Sequence, residues 1–394
     1  MTAALPALAG RTARIDPFRV MELAKRAAEL ERAGRSIIHM SIGEPDFTAP
    51  PAVLAALARA AQSGVTQYTA ALGIWPLRCA IARHYADAHG VEVDPSRVVV
   101  TAGASAALSL ACCALVDPGD RVLLADPGYP CNRHFVAAFD GVPVPVPVDA
   151  RTRFQLDAGL VAQHWSGRVR GVLLASPANP TGTSIAHDEL GRILQVTRAR
   201  GGFAIVDEIY LGLSYQGAPR TVLEHGDDVV VANSFSKFFN MTGWRLGWLI
   251  VPPAWIGTFE KLSQNLYICA SALAQHAALA CFEPDTLAIF SQRRDEFRRR
   301  RDYIVPALRE LGFEVPVTPD GAFYVYADCS RLGLDSEPLA AGLLEQAGVS
   351  AVPGTDFGAN QPQRWMRFSY ANSLDKLREA VARMRAWLGA RQGG

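Results

Sequence analysis

The chain has 394 residues, 49% hydrophobic and 20% charged, with a formal net charge of +1. That is ordinary globular composition, long enough for two domains or one large domain with an appendage. A charge so near zero gives no hold on nucleic acid or an anionic membrane surface, and no apolar run reaches bilayer-spanning length.

The seven cysteines, at 79, 112, 113, 131, 269, 281 and 329, form no CxxC pair. They predict reduced, buried thiols, with no disulfide framework and no metal site. The stretch Met1 to Gly10 lacks the charged start and apolar length of a secretory signal. The expectation is a cytoplasmic protein.

Residues 1–16 read as an arm. Val20, Leu23, Ala27 and Leu30 then fall at helical spacing within 17–32, Glu22 and Arg26 add an i,i+4 pair, and Gly34 ends the helix. A short strand is expected over 36–42, followed by the turn Gly43-Glu44-Pro45-Asp46-Phe47 and a helix opened by Pro51. Residues 74–89 read as a helix and 98–101 as a strand. Gly103-Ala104-Ser105 then leads into a small-residue helix to Val116, a junction where backbone N–H groups can hold an anion.

Strands are expected at 121–125, 142–148, 171–175, 203–206, 229–233 and 247–251, with helices at 130–139, 187–200 and 253–264. Their unbroken apolar runs suit a parallel sheet covered on both faces. Pro143, Pro145 and Pro147 confine 142–148 to an edge. A long arginine-rich helix at 284–311 changes the texture, and its arginines at 293–301 read as a solvated face. Strands near 323–328 and 365–370 and helices at 336–347 and 374–388 complete a smaller α+β unit, joined by the N-terminal segment. The class is α/β, divided as 1–48, 49–283 and 284–394.

The chemistry centres on 234–247, where Lys237 sits among hydroxyl and apolar residues and Arg245 follows, flanked by Gly243 and Gly247. Apolar surroundings lower a lysine's pKa and free the amine for Schiff-base chemistry, while a guanidinium offers a planar fork to phosphate. The two glycines permit close backbone approach or unusual dihedrals. Taken singly, such a lysine reads as a surface residue and the arginine as a salt-bridge partner. Together they suggest pyridoxal phosphate.

Three turns at strand ends should converge on the same place. In Asp126-Pro127-Gly128-Tyr129-Pro130 the tyrosine could stack on a planar ring or simply pack. In Ser176-Pro177-Ala178-Asn179-Pro180-Thr181-Gly182 the Asn179 amide could donate to a phenolate-like oxygen or serve its own turn. In Asp207-Glu208-Ile209-Tyr210 a carboxylate ends a buried strand, which is costly unless it is paired. Paired with a pyridine nitrogen, it keeps the ring an electron sink. A metal-binding aspartate is the alternative, but no phosphate loop accompanies it.

With these motifs in place the chain resembles the fold-type I, pyridoxal-phosphate-dependent aminotransferases of class I/II, the aspartate/aromatic/alanine superfamily. The resemblance runs from Met21-Glu-Leu-Ala-Lys and Ile42-Gly-Glu-Pro-Asp-Phe to Arg367-Phe-Ser-Tyr-Ala. It implies a large domain built on a mostly parallel seven-stranded sheet covered by helices, plus a smaller α+β domain. It implies that an amino group moves from an L-amino acid to a 2-oxo acid in two half-reactions, with a C–S-lyase-like enzyme or a regulator's effector domain as alternatives on the same scaffold. Lys237 resembles the cofactor-binding lysine that shuttles the proton, Asp207 the pyridinium partner, Asn179 and Tyr210 the partners of the phenolic oxygen, and Tyr129 the ring-stacking residue. Gly103, Ala104, Ser105, Ser234, Ser236 and Arg245 would hold the phosphate. Arg367, helped by Gly43 and Asn179, would hold the substrate carboxylate, and Arg364 would be structural. Tyr68 matches a tyrosine reaching the partner's site, which implies a homodimer. Some relatives acting on aspartate carry lysine where this chain has Ser105. That weakens a dicarboxylate donor, while Ile15, Phe18 and Tyr324 suit a neutral or aromatic one.

Overall fold

A computed structural model describes residues 5–392, so Met1 to Ala4 of the expected arm and the last two residues lie outside it. After the short strand β1 (Ile38–His39) come β2 (Val98–Thr101), β3 (Arg121–Asp126), β4 (Val142–Pro147), β5 (Val169–Ala175), β6 (Phe203–Asp207), β7 (Val230–Ser234) and β8 (Gly247–Ile250). These last seven form one sheet in the order β2-β8-β7-β6-β5-β3-β4. The pairings from β7 through β4 are parallel, while β8 runs antiparallel to both β2 and β7. The proline-rich β4 lies at the edge, as its missing donors require.

Successive side chains on a strand point to opposite faces. Val172, Leu174, Val206 and Val231 enter one apolar cluster, and Leu173, Ile205, Val230 and Ala232 enter another. Both faces of the sheet are therefore buried, which is why its strands read as continuous apolar runs.

A third cluster gathers Phe297, Ile304, Tyr324, Met366, Phe368 and Leu377 around a second, antiparallel sheet. Its strands are β9 (Tyr324–Asp328), β11 (Val352–Pro353) and β12 (Trp365–Ser369), in the order β11-β12-β9, and β10 (Val349–Ser350) pairs in parallel with β1. The chain start thus joins this part of the molecule. No described helix is long and apolar enough to cross a membrane.

Three details differ from the sequence reading. The arginines of 293–301 are not one solvated face. Arg298 and Arg299 are exposed, but Arg300 is buried against Asp46 and Glu296, and Arg293 donates to Asn240 and to the Thr48 carbonyl. Among the cysteines, only Cys112, Cys281 and Cys329 are buried. Of the two glycines beside Arg245, only Gly247 serves close approach, because a Cβ there would press on the Gly103–Ala104 backbone; Gly243 has open space.

Candidate active site

The carboxyl ends of the parallel strands deliver the site. β6 ends in Asp207, β5 leads to Asn179, β3 leads to Tyr129, and β7 ends in Ser234 just before Lys237. The second sheet supplies Arg367 and Tyr324, and the turn after β1 supplies Gly43. A cavity of about 380 Å³ is lined by Gly43, Ala104, Ser105, Tyr129, Asn179, Asp207, Tyr210, Ser236, Lys237, Arg245, Tyr324 and Arg367. Eight separate stretches of sequence therefore meet at one place.

The amine of Lys237 is deeply enclosed although the residue as a whole is only partly buried. Loss of hydration is the main reason its pKa falls to about 8. Nζ donates to the Gly43 carbonyl at 2.6 Å. Asp207 is buried and raised to about 7, chiefly by desolvation, with one oxygen accepting the Ile209 N–H at 3.0 Å. A carboxylate there is stabilised by a cation placed against it.

At the other end, Gly103 opens the helix Gly103–Leu115 at φ 82°. A Cβ at Gly103 would collide with the Arg245 guanidinium, so the missing side chain makes room for that cation at the helix N-terminus. Arg245 itself adopts a left-handed φ of 53°, a costly conformation for a non-glycine and typical of functional sites. Its Nη1 donates to the Thr242 carbonyl at 3.0 Å. The start of this helix, Ser236 and the guanidinium line one cavity, a donor set suited to an anion. An amine for a carbonyl carbon, an acid for a ring nitrogen and a cradle for phosphate fit pyridoxal phosphate.

Arg367 is 1% exposed. Nη1 donates to Asn179 Oδ1 at 2.9 Å and Nη2 to the Ser41 carbonyl, while Nε has no partner. No carboxylate among the described residues forms an ion pair with it. This is a buried cation with donor capacity left over, suited to an incoming carboxylate. Because Arg367 engages the Asn179 oxygen, the amide nitrogen of Asn179 is left as a donor.

Not every predicted residue reaches the cavity wall. Ser234 lies buried beneath Ser236, its hydroxyl 2.9 Å from Ser236 Oγ. Tyr68 is 79% exposed and outside the wall. Ile15 is exposed and does not line the cavity either, whereas Phe18 does. Arg364 bonds Asp328, a structural role. Sequence reasoning missed Val20, Met21, Ile42, Leu108 and Ile209, the apolar part of the wall. Met21, Ile42 and Ile209 lie within the quoted motifs and Val20 and Leu108 close by, and that proximity was the available signal.

The family described as aminotransferase class I and II matches residues 35–384. A valine–pyruvate aminotransferase of Mycobacterium tuberculosis is 40% identical over 376 residues, covering 95% of this chain and 97% of that protein. A crystal structure of an aminotransferase from Mycobacterium tuberculosis superposes with a TM-score of 0.94 at 40% identity, covering 98% of this chain and 100% of the other. Aspartate aminotransferase from Thermus thermophilus with maleate does so with a TM-score of 0.92 at 32% identity, covering 97% and 100%.

Proposed function

The chain belongs to the class I and II aminotransferases and is a pyridoxal-phosphate-dependent transaminase, and from that premise we propose that its amino donor carries an uncharged, apolar side chain. The observation that carries this reading is the remaining wall of the cavity. Lys237, Arg245, Asp207 and Arg367 all have work at the cofactor or the α-carboxylate. What is left is Phe18, Val20, Met21, Ile42, Leu108 and Ile209, with Thr242 and the acid Glu44, which would repel a second carboxylate, and Ser105 where a cation could have met one. The 40% identical relative bears valine and pyruvate in its name, which agrees with a short branched donor and a small 2-oxo acid.

When bound, the cofactor supplies a carbonyl carbon for the amino group and a ring that draws electrons from the substrate Cα–H bond. The residues do the rest. Arg367 and the Gly43 backbone grip the α-carboxylate, and the anion cradle grips the phosphate, so the reacting bond is fixed at both ends. Asp207 holds a proton on the ring nitrogen. Asn179 and Tyr210 donate to the phenolic oxygen, and Tyr129 covers the ring. With substrate and cofactor in place, Lys237 Nζ would take the Cα proton and return it one carbon further on. The apolar wall excludes water from these transfers.

The reading also divides the chain at 1–48, 49–283 and 284–394 and makes it a cytoplasmic homodimer in which Tyr68 reaches the partner's site. Exposed Tyr68, Leu266 and Ile268 support such a contact surface. A donor screen tests the substrate class: valine, alanine and phenylalanine should each exceed aspartate in kcat/KM by at least about tenfold, the value of one unmatched polar group. Aspartate performing as well as valine would overturn it.

A further inference from the structure

Tyr324 stands where three parts of the chain meet. It opens β9, is fully buried, and has Ser369 directly opposite on β12. Arg367, two residues before Ser369, is therefore its diagonal neighbour on the same face. The Arg367 guanidinium carbon lies 4.5 Å from the Tyr324 ring centroid, a cation–π contact that pins the ring. The Tyr324 hydroxyl is 2.8 Å from the Tyr210 hydroxyl, with the two rings edge to face at 5.8 Å. A Cβ at Gly43 would run first into that same Tyr324 oxygen, so the bare backbone at 43 is what gives the hydroxyl its place.

A phenol has one proton and donates one hydrogen bond. Burial raises both phenols, so both remain protonated near neutral pH. If Tyr210 directs its proton at the cofactor's phenolic oxygen, it can only accept from Tyr324. The chain of bonds then has a single direction, and donation into Tyr210 polarises its own O–H and strengthens the outgoing bond. We propose that Tyr324 is a positioning residue that fixes the Tyr210 hydroxyl as a donor to the cofactor's phenolic oxygen. This rests on the role given to Tyr210 above. The other titratable or charged groups facing the pair are Tyr129, from the turn after β3, and Arg367, from β12. Asp207 and Lys237 line the same cavity.

The test uses enzyme loaded with pyridoxal phosphate and reads the pH midpoint of its visible absorbance. A donor to the phenolic oxygen favours the negative form and lowers that midpoint, so a weakened donor raises it. Tyr324→Phe keeps the ring and its stack on Arg367 and removes only the hydroxyl. The midpoint should rise by about half a pH unit, part of the worth of one neutral hydrogen bond. Gly43→Ala dislodges the Tyr324 hydroxyl while leaving both tyrosines in place, and it should move the midpoint the same way, even if Tyr324→Phe folds poorly. Beside Tyr210→Phe neither change should add anything. A midpoint within about 0.1 unit of the parent in the folded variants, or a Tyr324→Phe shift that persists in full beside Tyr210→Phe, overturns the proposal. A parent enzyme that transaminates but whose midpoint is untouched by Tyr210→Phe overturns the Tyr210 role and the proposal with it, whereas a Tyr210-dependent midpoint indifferent to Tyr324 removes the proposal alone.

Discussion

Arg300 and Arg367 are buried to nearly the same degree, 4% and 1% exposed, and each lies against two aromatic rings. Arg300 sits 5.0 Å from the Phe47 ring and 5.2 Å from Phe297; Arg367 sits 4.5 Å from Tyr324 and 4.9 Å from Phe357. Their polar surroundings differ. Arg300 donates to both oxygens of Asp46, at 2.7 and 3.1 Å, and to Glu296 at 3.1 Å. Arg367 has only an amide oxygen and a backbone carbonyl, and its Nε is unpartnered. A buried charge is tolerated when it is paired and costly when it is not. The paired arginine ties the long helix Pro284–Glu310 to the turn after β1. The unpaired one keeps a donor free, as the proposed carboxylate contact needs, and Lys237 is its counterpart, an amine whose hydrogen-bond partner is a carbonyl.

The largest expected effect is at Lys237. Lys237→Ala should abolish the visible absorbance of bound cofactor and lower amino transfer by about 10⁴-fold or more, since attachment point and proton carrier vanish together. Survival of both signals would mean that the enclosed amine is only structural. The arginines come next, and they separate activity from stability. Arg367→Met should lower kcat/KM for the amino donor by about a hundredfold, from loss of charge-assisted bonds worth roughly 1.5–3 kcal/mol. Its thermal midpoint should hold or rise, because an uncompensated buried charge has gone. Arg300→Met should do the reverse, losing about 3 kcal/mol of stability by stranding Asp46 and Glu296, with kcat/KM little changed. Calorimetry and steady-state kinetics on the pair decide it; equal losses of stability would erase the distinction.

That distinction was only half legible in the sequence. Lys237, Asp207, Asn179 and Tyr129 follow strands within a few residues, so local turn chemistry and the strand-end rule already brought them together. Arg367 was reached through its motif, but its lack of an acid partner depends on which residues face it across the second sheet. Arg300 was misjudged because a run of arginines at helical spacing says nothing about which one meets Asp46, some 250 residues earlier in the chain. Tyr324 was seen as a side-chain-pocket residue only. β9 is buried at every position, so no alternation reveals its faces. The reversed direction of β8 was hidden for the same reason, an apolar run reading alike either way. The short helix Ala272–Ala278 gave no signal beyond alanines.

The smallest effect sharpens the contrast through the proton on Lys237. Burial pulls this amine down to about 8; Glu44 opposes that, Arg245 and Arg367 add to it, and Asp207 opposes it weakly. Only the neutral amine attacks a carbonyl. Below its pKa the amine is charged, so the rate at which cofactor-free protein captures pyridoxal phosphate should fall about tenfold per pH unit. Above it the rate should level off, instead of climbing on toward the ordinary lysine range. Removing a repelling cation lets the amine hold its proton longer, so Arg367→Met should move the plateau upward by roughly half a unit or less, the scale of one screened charge. Arg300→Met should leave it in place, because that cation is already matched by its own carboxylates. Stopped-flow absorbance from pH 6 to 10 reads all three proteins. A parent rate still rising in proportion to hydroxide at the top of that range would show that the cavity does not tune its lysine, and the unpaired cations would lose their claim to do so.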